Sequence, residues 1–195
     1  MRSGPSEQQQ WNTRYATADV AGAEPAEVLA WHSHLLPRRG QAVDLACGLA
    51  GNGIFLARRG MQVEAWDFSE RAVTAVNAFA ASHGLPLSAH VRDVVEQPPA
   101  LDSFDVVVVS RFLHRPLCAA LVAALRPGGL LFYQTFTRRK VTGRGPSNPD
   151  FLLADGELLE LFRDLQPVIY REERDIGDPA SGLRDQAMLV ALRAC

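Results

Sequence analysis

The sequence is poor in cysteine and in long apolar runs, and each shortage removes a class of protein. Cysteine occurs only at 47, 118 and 195. Three thiols, odd in number and far apart, make neither a disulfide framework nor a zinc site. The histidines, His83 and His90 included, lack metal-ligand spacing, so no metal is expected. No apolar run approaches the roughly twenty residues that a membrane helix needs. The opening, MRSGPSEQQQWNTRYATADV, has no apolar core of the kind a secretion signal carries. A cytoplasmic protein with no membrane partner is the expectation. Basic excess is lacking too. The formal net charge is −2, so no overall field draws nucleic acid. Repeats and low-complexity blocks are absent. What remains is a chain of 195 residues, 47% apolar and 22% charged, enough for one domain with a full core.

Strand and helix signals alternate along it. Pro25 opens a helical stretch, PAEVLAWHSHLL, which Pro37 stops. Gln41–Ala46 reads as a first strand, 53–59 as a helix ended by Gly60, and MQVEAWDF as a second strand. Ser69 caps a helix whose apolar positions 73, 76 and 79 share one face and which Gly84 ends. LSAHVRD reads as a weaker third strand. FDVVVVS, 104–110, is the continuous β-branched run of a central parallel strand buried on both faces. A helix over 116–125 follows, then the turn RPGG into the strand LLFYQTF. After a helix over 155–163, PVIYREER and DQAMLVALRA are joined by too short a loop for a crossover, so they should pair as an antiparallel hairpin. The expected architecture is α/β, a parallel sheet with helices on both sides and one reversed strand.

The loop after the first strand, DLACGLAGNG (44–53), is where a ligand would sit. A phosphate-binding P-loop needs Lys and then Ser or Thr after its glycines; Ile54 and Phe55 stand there instead. Gly48, Ala50 and Gly53 fill the frame of a dinucleotide fingerprint, with alanine where the second glycine would let pyrophosphate approach. Asp44 ends near the crevice in this reading. Beside a pyrophosphate, like charges at about 4–6 Å would cost on the order of one to a few kcal/mol at an effective dielectric of 20, whereas a sulfonium would be attracted. The alternative is that Asp44 caps the loop by accepting its N–H groups. Asp67, ending the second strand, can accept from ribose hydroxyls or cap the following helix, for which Ser69 is already placed. Asp93, after the third strand, can accept from an adenine amine or sit in a loop. Cys47 reads as a small buried filler rather than a redox thiol.

With these residues in view, the chain resembles a class I S-adenosylmethionine-dependent methyltransferase. VDLACGLAGNG is similar to the family's D-x-G-x-G-x-G with Ala46 and Ala50 replacing glycines, the latter expected to narrow the pocket slightly. Asp67 and Asp93 match its second- and third-strand acids, LRPGGLLF its turn into the fifth strand, and the terminal hairpin its reversed last strand. WNTRYA, QTF (134–136) and SNPDFLL are similar to the small bacterial tellurite-resistance-type methyltransferases. The resemblance implies a Rossmann-like, three-layer α/β/α fold with a doubly wound seven-stranded sheet of order 3-2-1-4-5-7-6. Residues 1–24 are expected to form a lead-in over the cofactor site of a single methyltransferase domain, 25–195. The cofactor would be S-adenosyl-L-methionine, leaving as S-adenosyl-L-homocysteine. Asp44 would lie near its methionine part, often through water, Asp67 would hold its ribose and Asp93 would face its adenine amine, with Ala46, Gly48, Ala50, Gly51, Phe68, Val94 and Ser110 also expected to bind it. Trp11, Arg14 and Tyr15 are expected to fold over the cofactor, since exclusion of water favours transfer; a segment packing on the sheet's flank is the alternative.

On the acceptor side His114 is the candidate base, with a helix-start histidine bonding backbone or water as the alternative. Arg111, Arg115 and Tyr133 are expected to contact acceptor. So are Arg138 and Arg144 of the loop 137–150, read as a lid whose Arg138, Arg139, Lys140 and Arg144 attract anions; plain solvated surface is the alternative. The acceptor is expected to be a small molecule or small anion. NPPY, used on exocyclic amines of nucleic acids, is replaced by SRFL. An NAD-dependent oxidoreductase and a non-catalytic cofactor-binding regulator remain as other readings.

Overall fold

A computed structural model describes residues 5–15 and 19–194; the remainder of the lead-in and Cys195 lie outside the described residues. Seven strands form one sheet: β1 (Gln41–Leu45), β2 (Gln62–Asp67), β3 (Leu87–Val91), β4 (Phe104–Ser110), β5 (Leu125–Phe136), β6 (Gln166–Glu172) and β7 (Gln186–Leu192). Their order is β3-β2-β1-β4-β5-β7-β6. β1 to β5 run parallel, and β7 lies antiparallel to both β5 and β6. The sheet is thus doubly wound around β1 and β4, with one reversed strand, as the sequence led us to expect.

The two faces of β4 show why the alternation reads so clearly. Val106 and Val108 enter one core with Val28, Leu29, Ile54 and Val76, while Val107 and Val109 enter the other with Leu117, Leu121, Leu158 and Phe162. All four valines are fully buried, which is the environment a β-branched run in a central parallel strand requires. The first core carries α2 (Glu27–Trp31), α3 (Gly51–Ala57) and α4 (Glu70–Ser82), the second α5 (Cys118–Ala124) and α6 (Glu157–Leu161). Helix α1 (Pro5–Arg14) precedes them. Ser69 caps α4 as its residue type demands, its Oγ accepting from Ala72 N.

The helices are shorter than the sequence patterns suggest. The stretch after Pro25 is helical only over α2. At His32 the backbone leaves the helix (φ −112°), its ring nitrogen 3.0 Å from the Val28 carbonyl, and a single 3-10 turn, Ser33–Leu35, completes it. α3 begins two residues earlier than read, because Asp44 holds its first turn from below. The expected helix over 116–125 splits into a 3-10 turn at Arg115–Leu117 and α5, and that over 155–163 contracts to α6 behind Gly156 (φ 75°). The RPGG turn is absorbed into β5, where Arg126 ties the bulge to Asp105 at 2.9 Å. No helix among the described residues is long and apolar enough to cross a membrane.

Candidate functional site

The turn between β1 and α3 is wound left-handed three times, at Ala46 (φ 51°), Gly48 (φ 54°) and Ala50 (φ 53°). A side chain in that region costs about 1–2 kcal/mol, so two of the three positions are strained. The strain is held by polar contacts. Gly48 N donates to Asp67 Oδ2 at 2.7 Å, Gly53 N to Asp44 Oδ2 at 2.9 Å, Cys47 N to the Trp66 carbonyl at 3.0 Å and Ala50 N to the Cys47 carbonyl at 2.9 Å. Four N–H groups of the turn are therefore engaged within the protein. Gly51 admits no side chain, since a methyl there would lie 2.2 Å from the Glu24 carbonyl oxygen. The Ala50 methyl is fully buried in the core, so it does not narrow the crevice, contrary to expectation. Relief of strain at half-buried Ala46 should make Ala46→Gly more stable by about 0.5–1 kcal/mol. Ala50→Gly should be near neutral, because it also removes a buried methyl worth about 0.8 kcal/mol. Urea midpoints of the two variants check this.

Asp44 takes the loop-capping role given above as the alternative, and it is fully buried rather than open to the crevice. Val43 and Leu45 point into the α5 side, so the pleat turns Asp44 toward α3. There it accepts from Gly53 N and from Asn52 Nδ2 at 3.1 Å, capping the helix start. Burial, partly offset by those bonds and reinforced by Asp67, pushes its carboxyl up to about 7. Cys47 packs against the same core, and burial with the charges of Asp44 and Asp67 raises its thiol well above the ordinary value.

Asp67 is 8% exposed, and its other oxygen accepts from Ser69 N at 2.9 Å. Burial raises its carboxyl, opposed by the N–H groups of Ser69, Gly48 and Phe68. α1 lies against this corner. Gln8 Nε2 donates to the Phe68 carbonyl at 3.1 Å, and Ser69 Oγ bonds Asn12 Oδ1 at 2.6 Å. Tyr15 covers Gly48, where an added methyl would lie 2.6 Å from its hydroxyl. Burial and the Asp67 charge push that phenol up to about 12. Trp11 stacks on Tyr15 with centroids 6.0 Å apart, and the Arg14 guanidinium lies 5.1 Å from the Trp11 ring. Asp93 caps the turn after β3, accepting from Val95 N at 3.0 Å, and Val94 is core.

On the other side of the crevice the expected contacts divide. Ser110 Oγ accepts from Asn52 Nδ2 at 3.0 Å, and Arg111 is exposed with its backbone N–H on the Gln134 carbonyl. Half-buried His114 keeps a buried Nδ1 without a hydrogen bond among the described residues. Arg115 and Tyr133 are corrections. Arg115 grips Glu157 at 2.5 and 2.9 Å and bonds the carbonyls of Asp150 and Leu152, so it is spent on holding α6. Tyr133 is 1% exposed; its hydroxyl donates to the Phe112 carbonyl at 2.8 Å and its ring packs 5.2 Å from Phe162.

The loop 137–150 is also pinned rather than free. Asp185, itself buried and left-handed (φ 61°), accepts from Val141 N, Thr142 N, Thr142 Oγ1 and Arg144 N. These donors hold its carboxyl down at about 2 against the opposing effect of burial. Arg139 pairs with Asp155 at 2.9 Å, and Lys140 folds back on the Gly145 and Pro146 carbonyls. That leaves the exposed Arg138 and Arg144 as the loop's cations directed outward.

Sequence reading missed Asn52, Glu27, Gln134 and Gln186. Asn52 joins the site together: besides Asp44 and Ser110, its Oδ1 accepts from Ala26 N at 2.8 Å. Gln134 carried a usable signal, a polar residue inside the apolar run LLFYQTF, for buried polar groups need dedicated partners. A separate hollow of about 490 Å³ is bordered by Glu64, Trp66, Arg92 and Phe104.

Comparison with known proteins gives a consistent picture. Residues 42–129 match the family described as "Methyltransferase domain". A 114-residue stretch is 32% identical to ribosomal RNA small subunit methyltransferase C of Alcanivorax borkumensis, covering 53% of this chain and 34% of that protein. The chain spans less than half the length of the curated relatives it matches. Among solved structures it is similar to TehB from Haemophilus influenzae (TM-score 0.69, 20% identity, 95% of this chain and 66% of that one). It is likewise similar to geranyl diphosphate C-methyltransferase from Streptomyces coelicolor, determined with S-adenosyl-L-homocysteine (TM-score 0.70, 15% identity, 98% and 99% covered). At these identities the structural likeness concerns the fold.

Proposed function

We propose that this chain, which belongs to the class I S-adenosylmethionine-dependent methyltransferases, moves the cofactor's methyl group onto a small molecule or small anion. The supporting observation is the state of the glycine turn. Its Cys47, Gly48, Ala50 and Gly53 N–H groups are taken by protein oxygens, two of them carboxylates. A pyrophosphate needs such N–H groups unoccupied, whereas a phosphate-free nucleoside does not. This weighs against the NAD-dependent reading.

In the reaction the acceptor's lone pair attacks the methyl carbon in line with the breaking carbon–sulfur bond. The protein's task is alignment and exclusion of water. Asp67 keeps lone pairs for ribose hydroxyls beyond its two backbone bonds, and Asp93 stands at the next strand end for adenine. α1 with Tyr15 roofs the site, so the lead-in works with the 25–195 domain. Arg111, Arg138 and Arg144 remain for an anionic acceptor, and His114 Nδ1 for an acceptor-side hydrogen bond. A cytoplasmic location fits the free thiols of Cys47 and Cys118.

Titration calorimetry with S-adenosylmethionine, S-adenosylhomocysteine and NAD tests this: the first two should bind and NAD should not. Binding of NAD alone would refute it. Cofactor binding without transfer to any member of a broad acceptor panel would favour the non-catalytic regulator instead.

A further inference from the structure

Glu27, which no motif marks, stands where the ends of β4 and β5 meet α2. Its neighbour Ala26 is bonded through Asn52 to Ser110 and to the glycine-turn acid Asp44. Its own Oε2 accepts from Gln134 Nε2 at 2.7 Å, and Gln134 is paired in register with Ser110. The orientation of this cluster is determined by one backbone group. Val28 N donates to Gln134 Oε1 at 2.7 Å, so Gln134 Nε2 must be the donor toward both Glu27 and Gln186 Oε1, the latter at 2.9 Å. Gln134 is 1% exposed and fully committed. What it leaves over is one Glu27 oxygen, Oε1, and both Gln186 Nε2 hydrogens, none with a hydrogen bond among the described residues. Glu27 is half-buried, so that oxygen is reachable while its partner is locked.

A carboxylate held this way, within two links of Ser110, suits a group that brings a hydrogen to the transfer site. We propose that Glu27 is the acceptor-side carboxylate of this enzyme and that the acceptor carries an N–H, O–H or S–H group. The inference rests on the methyltransferase reading above. As the acceptor heteroatom forms its bond to the methyl carbon, the carbon–sulfur pair returns to sulfur, leaving S-adenosylhomocysteine. The heteroatom's proton passes to Glu27 Oε1 and from there to water. Gln134 positions Glu27, and Gln186 Nε2 is available to the acceptor's own lone pairs.

Sinefungin, in which an amine-bearing carbon replaces the sulfur and its methyl, places an ammonium where the methyl would be transferred. Calorimetry should show Glu27→Gln weakening sinefungin by about ten- to hundredfold, the range of a charged hydrogen bond, with S-adenosylhomocysteine affinity unchanged. Equal changes for both ligands in Glu27→Gln, or none, would overturn the assignment. Failure of S-adenosylhomocysteine to bind wild type would instead strike the reading on which it rests. With labelled cofactor and a panel of a primary amine, a phenol, a thiol and tellurite, turnover of a proton-bearing member that Glu27→Gln loses supports it. Turnover confined to tellurite would overturn it, and where no member reacts the sinefungin comparison decides.

Discussion

Asp67→Ala should lower both cofactor affinity and folding stability, more than any other single change at the nucleoside end of the site. The carboxylate receives Gly48 N at 2.7 Å and Ser69 N at 2.9 Å while only 8% exposed. Removing it strands two backbone donors in a nearly dry corner, each costing about 1–3 kcal/mol. The Gly48 bond also holds a turn containing two strained alanines, so its loss lets Ala46 and Ala50 relax out of the left-handed region. A stability loss of about 2–4 kcal/mol by urea denaturation is expected. S-adenosylmethionine affinity should fall about ten- to hundredfold, as a charged hydrogen bond to ribose would require. Asp67→Asn, which retains one acceptor oxygen, should fall between. Unchanged affinity in a folded Asp67→Ala protein would remove the residue from the site.

The second large effect is a dependence on pH set by Asp44. Its carboxyl is pushed up to about 7 in the folded protein from the ordinary 3.8. Between those values the folded chain holds a proton that the unfolded chain has released. Stability must therefore decrease as pH rises from about 4 to about 7, by on the order of a few kcal/mol in the ligand-free protein. The groups facing Asp44 are the Asn52 amide, Gly53 N and, at longer range, Asp67. Asp185 has the opposite sign: its contribution is complete above about 3.8 and fades only as pH falls toward about 2, outside this window. Asp44→Asn, with no charge to develop, should reduce the fall in melting temperature between pH 5 and pH 8, leaving the part that the raised carboxyl of Asp67 contributes. A sulfonium favours the ionised form of Asp44 and a thioether does not. Thermal stabilisation by S-adenosylmethionine should then exceed that by S-adenosylhomocysteine increasingly as pH rises through 7, and the Asp44→Asn protein should lose that divergence. Equal pH profiles for wild type and variant would show that Asp44 does not titrate in this range.

What sequence reading captured is what local pattern determines. FDVVVVS could only be a strand buried on both faces, Ser69 could cap α4 with its own hydroxyl, and the loop before DQAMLVALRA left a hairpin as the sole connection. These features sufficed for a parallel sheet with one reversed strand; the strand order was implied by the family resemblance. The misses are contacts between residues distant in sequence. Arg115 looked available beside His114, but its partner Glu157 lies 42 residues on. The helix after Pro25 ends early because His32 turns its ring back onto Val28. Asp44 was placed correctly along β1, yet only the pleat and α3 decide that its charge is sealed beneath the turn. Tyr133 sits in the strand whose end borders the crevice, but alternation sends its ring into the core while Gln134 faces Glu27, 107 residues earlier.

Repulsion by Asp44 was the first reason to reject a pyrophosphate; in the folded chain that acid is buried, and the reason that remains is that Gly48 N and Gly53 N are already bonded to carboxylates. This makes the account directly visible in a ligand complex. Crystals grown with S-adenosylhomocysteine and soaked separately with NAD should show the thioether ligand over Gly48–Gly51, its ribose hydroxyls on Asp67 and Tyr15 closed above, and no ordered NAD. A pyrophosphate seated against the turn, with Gly48 N released from Asp67 to bind it, would contradict the account.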